Sequence, residues 1–115
     1  QGNSSRPNLG DFTGASESLL KANRIRQNLP QTVENLTLLA ENFRILADVR
    51  FEQNETEKAF QETEEAIRIY RELVAQNPNS KELQVSYIKT LIDLAQLYQF
   101  TWKLDKSIEV SNQIR

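Results

Sequence analysis

Apolar residues recur at steps of three and four along most of the chain, which is the spacing that lines one side of an α-helix. The three clearest apolar runs are Val33, Leu36, Leu39, Ala40, Phe43, Leu46 and Ala47; Ala59, Phe60, Ala66, Ile67, Tyr70, Leu73 and Val74; and Leu83, Tyr87, Ile88, Leu91, Leu94, Ala95 and Tyr98. No segment shows the sustained two-residue alternation of a strand bounded by hairpin turns. The pattern therefore predicts an all-α protein in which each run turns its apolar side to a core.

Short polar segments between the runs predict the helix ends. Gln53, Asn54 and Glu55 separate two runs, and the segment 77–80, Asn-Pro-Asn-Ser, is the clearest stop. Proline cannot continue a helix, and Asn or Ser can cap the next one. The sequence predicts five helices joined by connections short enough to make neighbours antiparallel. Their ranges are roughly 13–29, 31–52, 56–76, 80–100 and 105–115, with Gly10 and Asp11 before the first helix, Leu29 and Pro30 ending it, and Thr101 to Asp105 forming the last turn.

The sequence repeats weakly with a period of 48 residues. A shift of 48 places Leu46-Ala47 on Leu94-Ala95 and Ala59 on Ser107. Gly10 lies five residues before Ala15 and Asn54 lies five before Ala59, and both residue types tolerate a left-handed turn; Trp102, five before Ser107, breaks this pattern. Both Ala59 and Ala66, two helical turns apart, are predicted to be buried against a neighbouring helix.

Three segments in this register resemble tetratricopeptide repeats: GDFTGASESLLKA, LAENFRILADVRFEQNETEKAFQETEEA and LIDLAQLYQFTWKLDKSI, with Leu94, Ala95 and Tyr98 matching the first-helix signature. The usual period of that family is 34 residues. Fourteen extra residues add about two turns to each helix, so its buried face keeps its direction. The extended form resembles 48-residue repeats found in bacterial signalling and regulatory proteins.

The resemblance implies an α-α superhelix of antiparallel helix pairs. Residues 1–9 are then a flexible N-terminal segment and residues 10–115 a repeat domain. The domain divides into a half repeat at 10–30, a full repeat at 31–79 and a truncated repeat at 80–115. Because the chain starts at Gln1 and contains no methionine, we expect it to be a piece of a longer protein.

Composition narrows the function classes. The 115 residues suffice for one compact domain or a few short repeats. Fourteen basic and sixteen acidic residues give a net charge of −2, and Lys21, Arg24 and Arg26 fall far short of a basic stripe, so we expect no nucleic-acid or anionic-membrane binding. No apolar run approaches the roughly 18 residues of a membrane span. A soluble, cytoplasmic protein is the expectation.

The sequence offers little chemistry for catalysis. The chain has no cysteine and no histidine, so disulfides, thiolate chemistry and the usual zinc or copper ligands are missing. Its serines lack a histidine base, and the glutamates between Glu55 and Glu65 form a hydrated helix face beside lysine. The sequence therefore predicts a protein that is not an enzyme and uses no cofactor or metal. Asn-x-Ser/Thr triplets at Asn3, Asn35 and Asn54 matter only outside the cytoplasm, and chance explains them.

In the repeat family, the first helix of each pair lines a concave face that binds partner segments. The candidate partner-binding residues on the corresponding helices here are Glu41, Arg44, Asp48, Lys89, Ile92, Gln96, Phe100 and Trp102. Arg44 and Lys89 are expected to pair with a partner's carboxylates, and Ile92 to be an exposed apolar anchor. The alternative is a solvated groove with incidental charges. Tyr98 is expected in the core, while Trp102 either covers the next repeat or contacts a partner.

The expected function is non-catalytic binding of a partner protein or peptide on the concave face of helices 31–52 and 80–100. A second hypothesis is a structural or oligomerisation segment of a larger regulatory protein. Repeat arrays normally end in a capping helix, which Ile108 and Ile114 lack at the end of this chain. An uncovered end of this kind favours self-association by symmetric pairing, which gives a homo-oligomer.

Overall fold

The computed structural model describes the backbone of residues 9–114 and the side chains of residue 14 and of residues 16–103. The described chain forms four helices, α1 (Leu9–Gln27), α2 (Val33–Glu52), α3 (Thr56–Gln76) and α4 (Lys81–Ile114). No strand occurs between residues 9 and 114, so the all-α prediction is confirmed. None of the helices in this range is long and apolar enough to cross a membrane.

The predicted stops on either side of α3 are confirmed. Asn54 takes a left-handed backbone conformation with φ of 65°, which allows the chain to reverse within three residues between α2 and α3. At the other end of α3, the Asn77 side chain donates a hydrogen bond to the Leu73 carbonyl at 2.9 Å. Ser80 then caps α4, because its hydroxyl accepts a hydrogen bond from the Leu83 amide at 3.3 Å.

Consecutive helices are antiparallel neighbours. The first half of α2 packs against the second half of α3 through Leu39, Phe43, Ile69 and Leu73. At the opposite end, Arg50 of α2 lies 3.6 Å from the Glu62 carboxylate of α3. In the same way, Leu83 near the start of α4 joins the cluster that contains Leu73. The short connections predicted from the sequence therefore act as tight reversals.

The core lies between α2 and α3 and extends to the start of α4. Its buried members are Leu39, Ala40, Phe43, Ala66, Ile69, Tyr70, Leu73 and Leu83. Ala59 and Ala66 are both fully buried on α3, as the sequence predicts. A methyl side chain lets the neighbouring helices approach closely at two levels, two turns apart.

The predicted fifth helix and the turn before it are wrong. α4 continues through residues 101–105 as one helix of 34 residues. This segment contains neither glycine nor proline, and the Thr101 hydroxyl donates to the Leu97 carbonyl at 2.9 Å within the helix. Nothing in the local chemistry interrupts the backbone hydrogen bonds, so no helix folds back over α4.

Two residues of the predicted core are exposed for the same reason. Ala95 is exposed although Ala47, its partner in the 48-residue repeat, is buried. Tyr98 is 55% exposed, and its ring rests on Phe60 with centroids 4.9 Å apart. Both belong to the side of α4 that a returning fifth helix was expected to cover. Gly10 and Asp11 differ from prediction too, since they lie inside α1; the predicted flexible segment falls outside the described residues except for Leu9.

Candidate functional site

The candidate site is a groove between α2 and α4, here named the α2/α4 groove. Because both helices are antiparallel to α3, they run in the same direction. Arg44 contacts Asp93 and Phe51 contacts Phe100, and both contacts join residues 49 positions apart in the sequence. The helices are therefore in register along the groove, with an offset one residue larger than the predicted repeat of 48.

The groove is wide where both helices begin. A cavity of about 940 Å³ opens there between the first two turns of α2 and the first two turns of α4. Val33, Leu38 and Val85 give it apolar lining that is 41–49% exposed. Its charged residues are Glu34, Glu41, Lys81 and Glu82. The wide end thus combines accessible apolar surface with a mainly acidic rim.

The groove narrows towards the end of α2. A second cavity of about 140 Å³ is lined by Arg44, Ala47, Asp48, Phe51, Thr63, Asp93, Gln96 and Leu97. Thr63, which is buried on α3, contributes to its floor. The Phe51 and Phe100 rings meet edge to face at a centroid distance of 4.9 Å, and they bring the two helices together beyond this cavity.

An ion pair crosses the groove between Arg44 and Asp93. The Arg44 Nε–H donates to Asp93 Oδ2 at 3.0 Å, and its terminal nitrogen lies 2.9 Å from the same oxygen. Both side chains are partly buried, with exposed fractions of 28% and 37%. Exposed pairs of this kind contribute about 0–1 kcal/mol, and partial burial strengthens the attraction. The pair fixes the spacing between α2 and α4 in the middle of the groove.

Asp48 is the second carboxylate at the narrow end. Burial raises the pKa of Asp48 above its ordinary value, and the negative charges of Asp93 and Glu52 act in the same direction. Arg44 opposes the rise in pKa but does not cancel it. Two carboxylates therefore share one guanidinium, and that guanidinium is hydrogen-bonded to Asp93. The narrow end carries an excess of negative charge at neutral pH.

Tyr70 of α3 lies beneath the groove and is fully buried. Its hydroxyl is close to Ser86 and Arg44, which line the groove from opposite sides, but it makes no hydrogen bond of ordinary geometry. Burial raises the pKa of this phenol, and the nearby Glu41 carboxylate raises it further. Tyr70 is therefore a neutral residue at neutral pH, and its ring closes the floor between α2 and α4.

The predicted partner-binding residues separate into two groups. Glu41, Arg44, Asp48 and Gln96 line the groove, and Phe100 packs at its narrow end. Lys89, Ile92 and Trp102 are exposed on α4 but outside the lining of the two cavities. Sequence reasoning placed Lys89 and Gln96 on the groove side but missed Asp93 between them. Helical spacing contained the signal, because Asp93 is four residues after Lys89 and three before Gln96.

The opposite side of α4 is strongly apolar. Ile88, Leu91, Ile92, Ala95, Tyr98 and Trp102 are all exposed, and we name this set the outer face of α4. Five of them follow one another at steps of three, four, three and four residues, the spacing of a helix-pairing seam. Only Ile92 had been predicted to be an exposed apolar anchor. The others were assigned to the core or, for Trp102, left open.

The fold and site define an all-α domain of in-register helices with an open, acidic groove. The chain matches no protein-family model, no curated protein and no solved structure. In the described part of the chain, no group of three or more acidic side chains is arranged to hold a metal ion. The groove itself therefore carries the functional inference.

Proposed function

We propose that this protein is a non-catalytic scaffold that binds a segment of another protein in the α2/α4 groove. The observation that carries the proposal is the open wide end, where apolar side chains remain half exposed on two helices held in register. Contiguous apolar surface rimmed by polar groups is typical of protein-binding sites. The Arg44–Asp93 ion pair and the Phe51–Phe100 contact keep the groove preformed, which lowers the entropic cost of binding.

The charges of the groove favour a partner segment that carries basic and apolar side chains. Three glutamates and one lysine line the wide end, and Asp48 adds a carboxylate at the narrow end. Arg44, which the sequence suggested for a partner's carboxylate, is bound to Asp93. A partner's lysine or arginine placed near Asp48 would gain a charge-assisted hydrogen bond in a partly buried site.

We also propose that the architecture is an extended tetratricopeptide-like array. The parallel, in-register arrangement of α2 and α4 with α3 between them supports this, as do the two fully buried alanines of α3. In such an array α2 and α4 are the first helices of successive pairs, and the groove between them is part of the concave face.

Two composition-matched peptide sets of 15 residues test the groove, one built from leucine, serine and lysine and the other from leucine, serine and glutamate. Binding is followed by the amide chemical shifts of the labelled protein. We expect the lysine set to shift amides around Leu38, Asp48 and Val85, with affinity that falls as salt is added. Binding of neither set at millimolar peptide would contradict the proposed groove function.

Val85→Asp provides the matching variant, and Ile25→Asp on α1 is the control because Val85 and Ile25 are similarly exposed. The Val85 change removes apolar surface from the wide end and adds a like charge beside Glu82. Apolar contact at an interface centre typically contributes about 1–2 kcal/mol, so peptide affinity is expected to fall roughly tenfold or more. Equal affinity of the two variants would place binding elsewhere.

A second candidate function is self-assembly within a larger regulatory protein. The specific observation in its favour is the outer face of α4, whose apolar residues face away from the core. Ile108 and Ile114, which the sequence suggested for this role, lie in the part of α4 whose side chains are outside the described residues. The outer face at residues 88–102 now supplies the basis for the hypothesis.

A further inference from the structure

The outer face of α4 is the largest apolar feature that the groove does not use. Ile88 is 54% exposed, Ile92 is 50% exposed and Trp102 is 61% exposed. Leu91, Ala95 and Tyr98 fill the positions between them along the helix. Isolated exposed apolar residues are normal, but a continuous run over four turns is typical of a surface that contacts another helix.

The outer face points away from the body of the protein. Thr90 is fully buried and Leu97 is partly buried, and both lie on the opposite side of the helix from Ala95 at about 100° per residue. α2 and α3 occupy that opposite side. A second helix can therefore approach the outer face without meeting α2 or α3.

We propose that two copies of this chain pair through the outer faces of their α4 helices, antiparallel and with Ala95 on the two-fold axis. The inference goes beyond groove binding and rests on the second proposed function, self-assembly. In this register residues whose numbers sum to 190 lie opposite one another. Ala95 then faces Ala95, Ile88 faces Trp102 and Ile92 faces Tyr98.

The distribution of side-chain sizes along the outer face favours the antiparallel register. The first half of the face is aliphatic, with Ile88, Leu91 and Ile92, and the second half is aromatic, with Tyr98 and Trp102. Antiparallel pairing sets each aromatic side chain against an aliphatic one, so the gap between the helices stays even. Parallel pairing would set Trp102 against Trp102 and leave less well-filled space between the isoleucines. The small Ala95 allows close approach at the axis.

The length of α4 gives a second reason. Phe100 and Thr101 make the last contacts and hydrogen bonds described between or within helices of the body, yet α4 continues to Ile114. A helical segment without tertiary packing is marginal in water. In the antiparallel register, the backbone of residues 104–109 lies alongside residues 81–86 of the other copy. The pairing thus supplies a packing surface for the end of the helix.

Light scattering tests the pairing on the intact chain. At 100 µM we expect the unaltered protein to have twice the mass of one chain and the Ile92→Glu variant to have the mass of one. Ile45→Glu on α2 is the matched control, because Ile45 is also 50% exposed, and it should remain a dimer. A monomeric parent protein, or a dimeric Ile92→Glu variant, overturns the proposal.

Disulfide trapping tests the register, since the chain has no cysteine of its own. A disulfide needs Cβ atoms about 3.5–4.5 Å apart, which the two-fold axis provides only near residue 95. We expect Ala95→Cys to form a linked dimer at least tenfold faster than Ile45→Cys under mild oxidation. A mixture of Ile88→Cys and Trp102→Cys should link the two variants to each other.

Linkage of Ile88→Cys to itself at the rate of Ala95→Cys would show parallel helices and overturn the register. The two proposed functions remain distinguishable in the same material. Ile92→Glu should keep the peptide affinity of the groove, because Ile92 does not line it. Loss of peptide binding with the dimer would instead show that the groove depends on assembly and contradict the separation drawn here.

Discussion

Arg44 of α2 and Asp93 of α4 are joined by two guanidinium nitrogens at 2.9 and 3.0 Å from one carboxylate oxygen. Asp93 Oδ2 is thus the point at which two helices that are not consecutive in the chain are fixed to each other. Seven residues further along both helices, Phe51 meets Phe100. These two contacts convert a pair of helical hairpins into a groove with one open and one narrow end.

A double-mutant cycle with Arg44→Gln and Asp93→Asn measures the energy of the pair. We expect a coupling of about 0.5–1 kcal/mol in the free energy of unfolding, because the pair is well oriented but partly solvated. Urea denaturation of the four proteins provides the measurement. The exposed pair Arg68 and Glu72, at 3.5 Å, is the control and should couple more weakly. Coupling of Arg44 and Asp93 no larger than the control would contradict the role given to this pair.

Asp48 gives the protein a predictable pH dependence. Its pKa is raised on folding, chiefly by burial, so the folded state holds this proton more tightly than the unfolded state. The contribution of Asp48 to stability is therefore present below its ordinary pKa of 3.8 and is lost as the pH rises through the folded pKa. Asp48→Asn should raise the free energy of unfolding at pH 7 and change it little at pH 3.

The check is urea denaturation of the Asp48→Asn variant and the parent protein at both pH values. Glu64→Gln on the exposed side of α3 is the control for loss of one negative charge. A destabilised Asp48→Asn variant at pH 7 would mean that a favourable contact of the carboxylate outweighs its burial.

Ala66 sets how closely the helices around α3 can approach. Replacing it with leucine adds three carbon atoms at a fully buried position, and overpacking of this kind typically costs about 1–3 kcal/mol. Ala75→Leu is the control, because Ala75 is exposed on the same helix and leucine has a comparable helix propensity. Chemical denaturation should show a lower midpoint for Ala66→Leu and little change for Ala75→Leu. Equal midpoints would show that the core at Ala66 is loose.

Asn54 allows the reversal between α2 and α3 through its positive φ of 65°. A β-branched residue is strained in this conformation, whereas glycine adopts it freely. Asn54→Val should lower the free energy of unfolding by about 1–2 kcal/mol, and Asn54→Gly should change it by less than about 1 kcal/mol. Thermal unfolding followed by circular dichroism distinguishes the two variants. A valine variant as stable as the glycine variant would show that the turn adopts another conformation.

Much of the fold was readable because its signals are local. The Asn54 turn, the 77–80 stop and the buried stripe of α3 each depend on residues within one or two helical turns, and all three predictions are confirmed. The Thr101 to Asp105 turn was inferred from the repeat alone. Its residues carry no helix-breaking chemistry, and the structure shows a continuous helix there.

The site was only partly readable from the sequence. Spacing on a helix placed Glu41, Arg44, Asp48 and Gln96 on one side of their helices, and these four residues do line the groove. The choice of Asp93 as the partner of Arg44 depends on the offset of 49 residues between α2 and α4, which periodicity along a single helix does not contain. The exposed state of Ala95 likewise depends on whether another helix returns over α4.

The sequence by itself determined that the chain is helical, where two of the reversals fall and which side of α3 is buried, because backbone chemistry and apolar spacing act over a few residues. The tertiary structure decided that α2 and α4 face each other across a groove, that Arg44 is committed to Asp93, and that the outer face of α4 is left exposed. These outcomes depend on how whole helices pack, and the same apolar stripe is core or surface according to whether a neighbouring helix covers it.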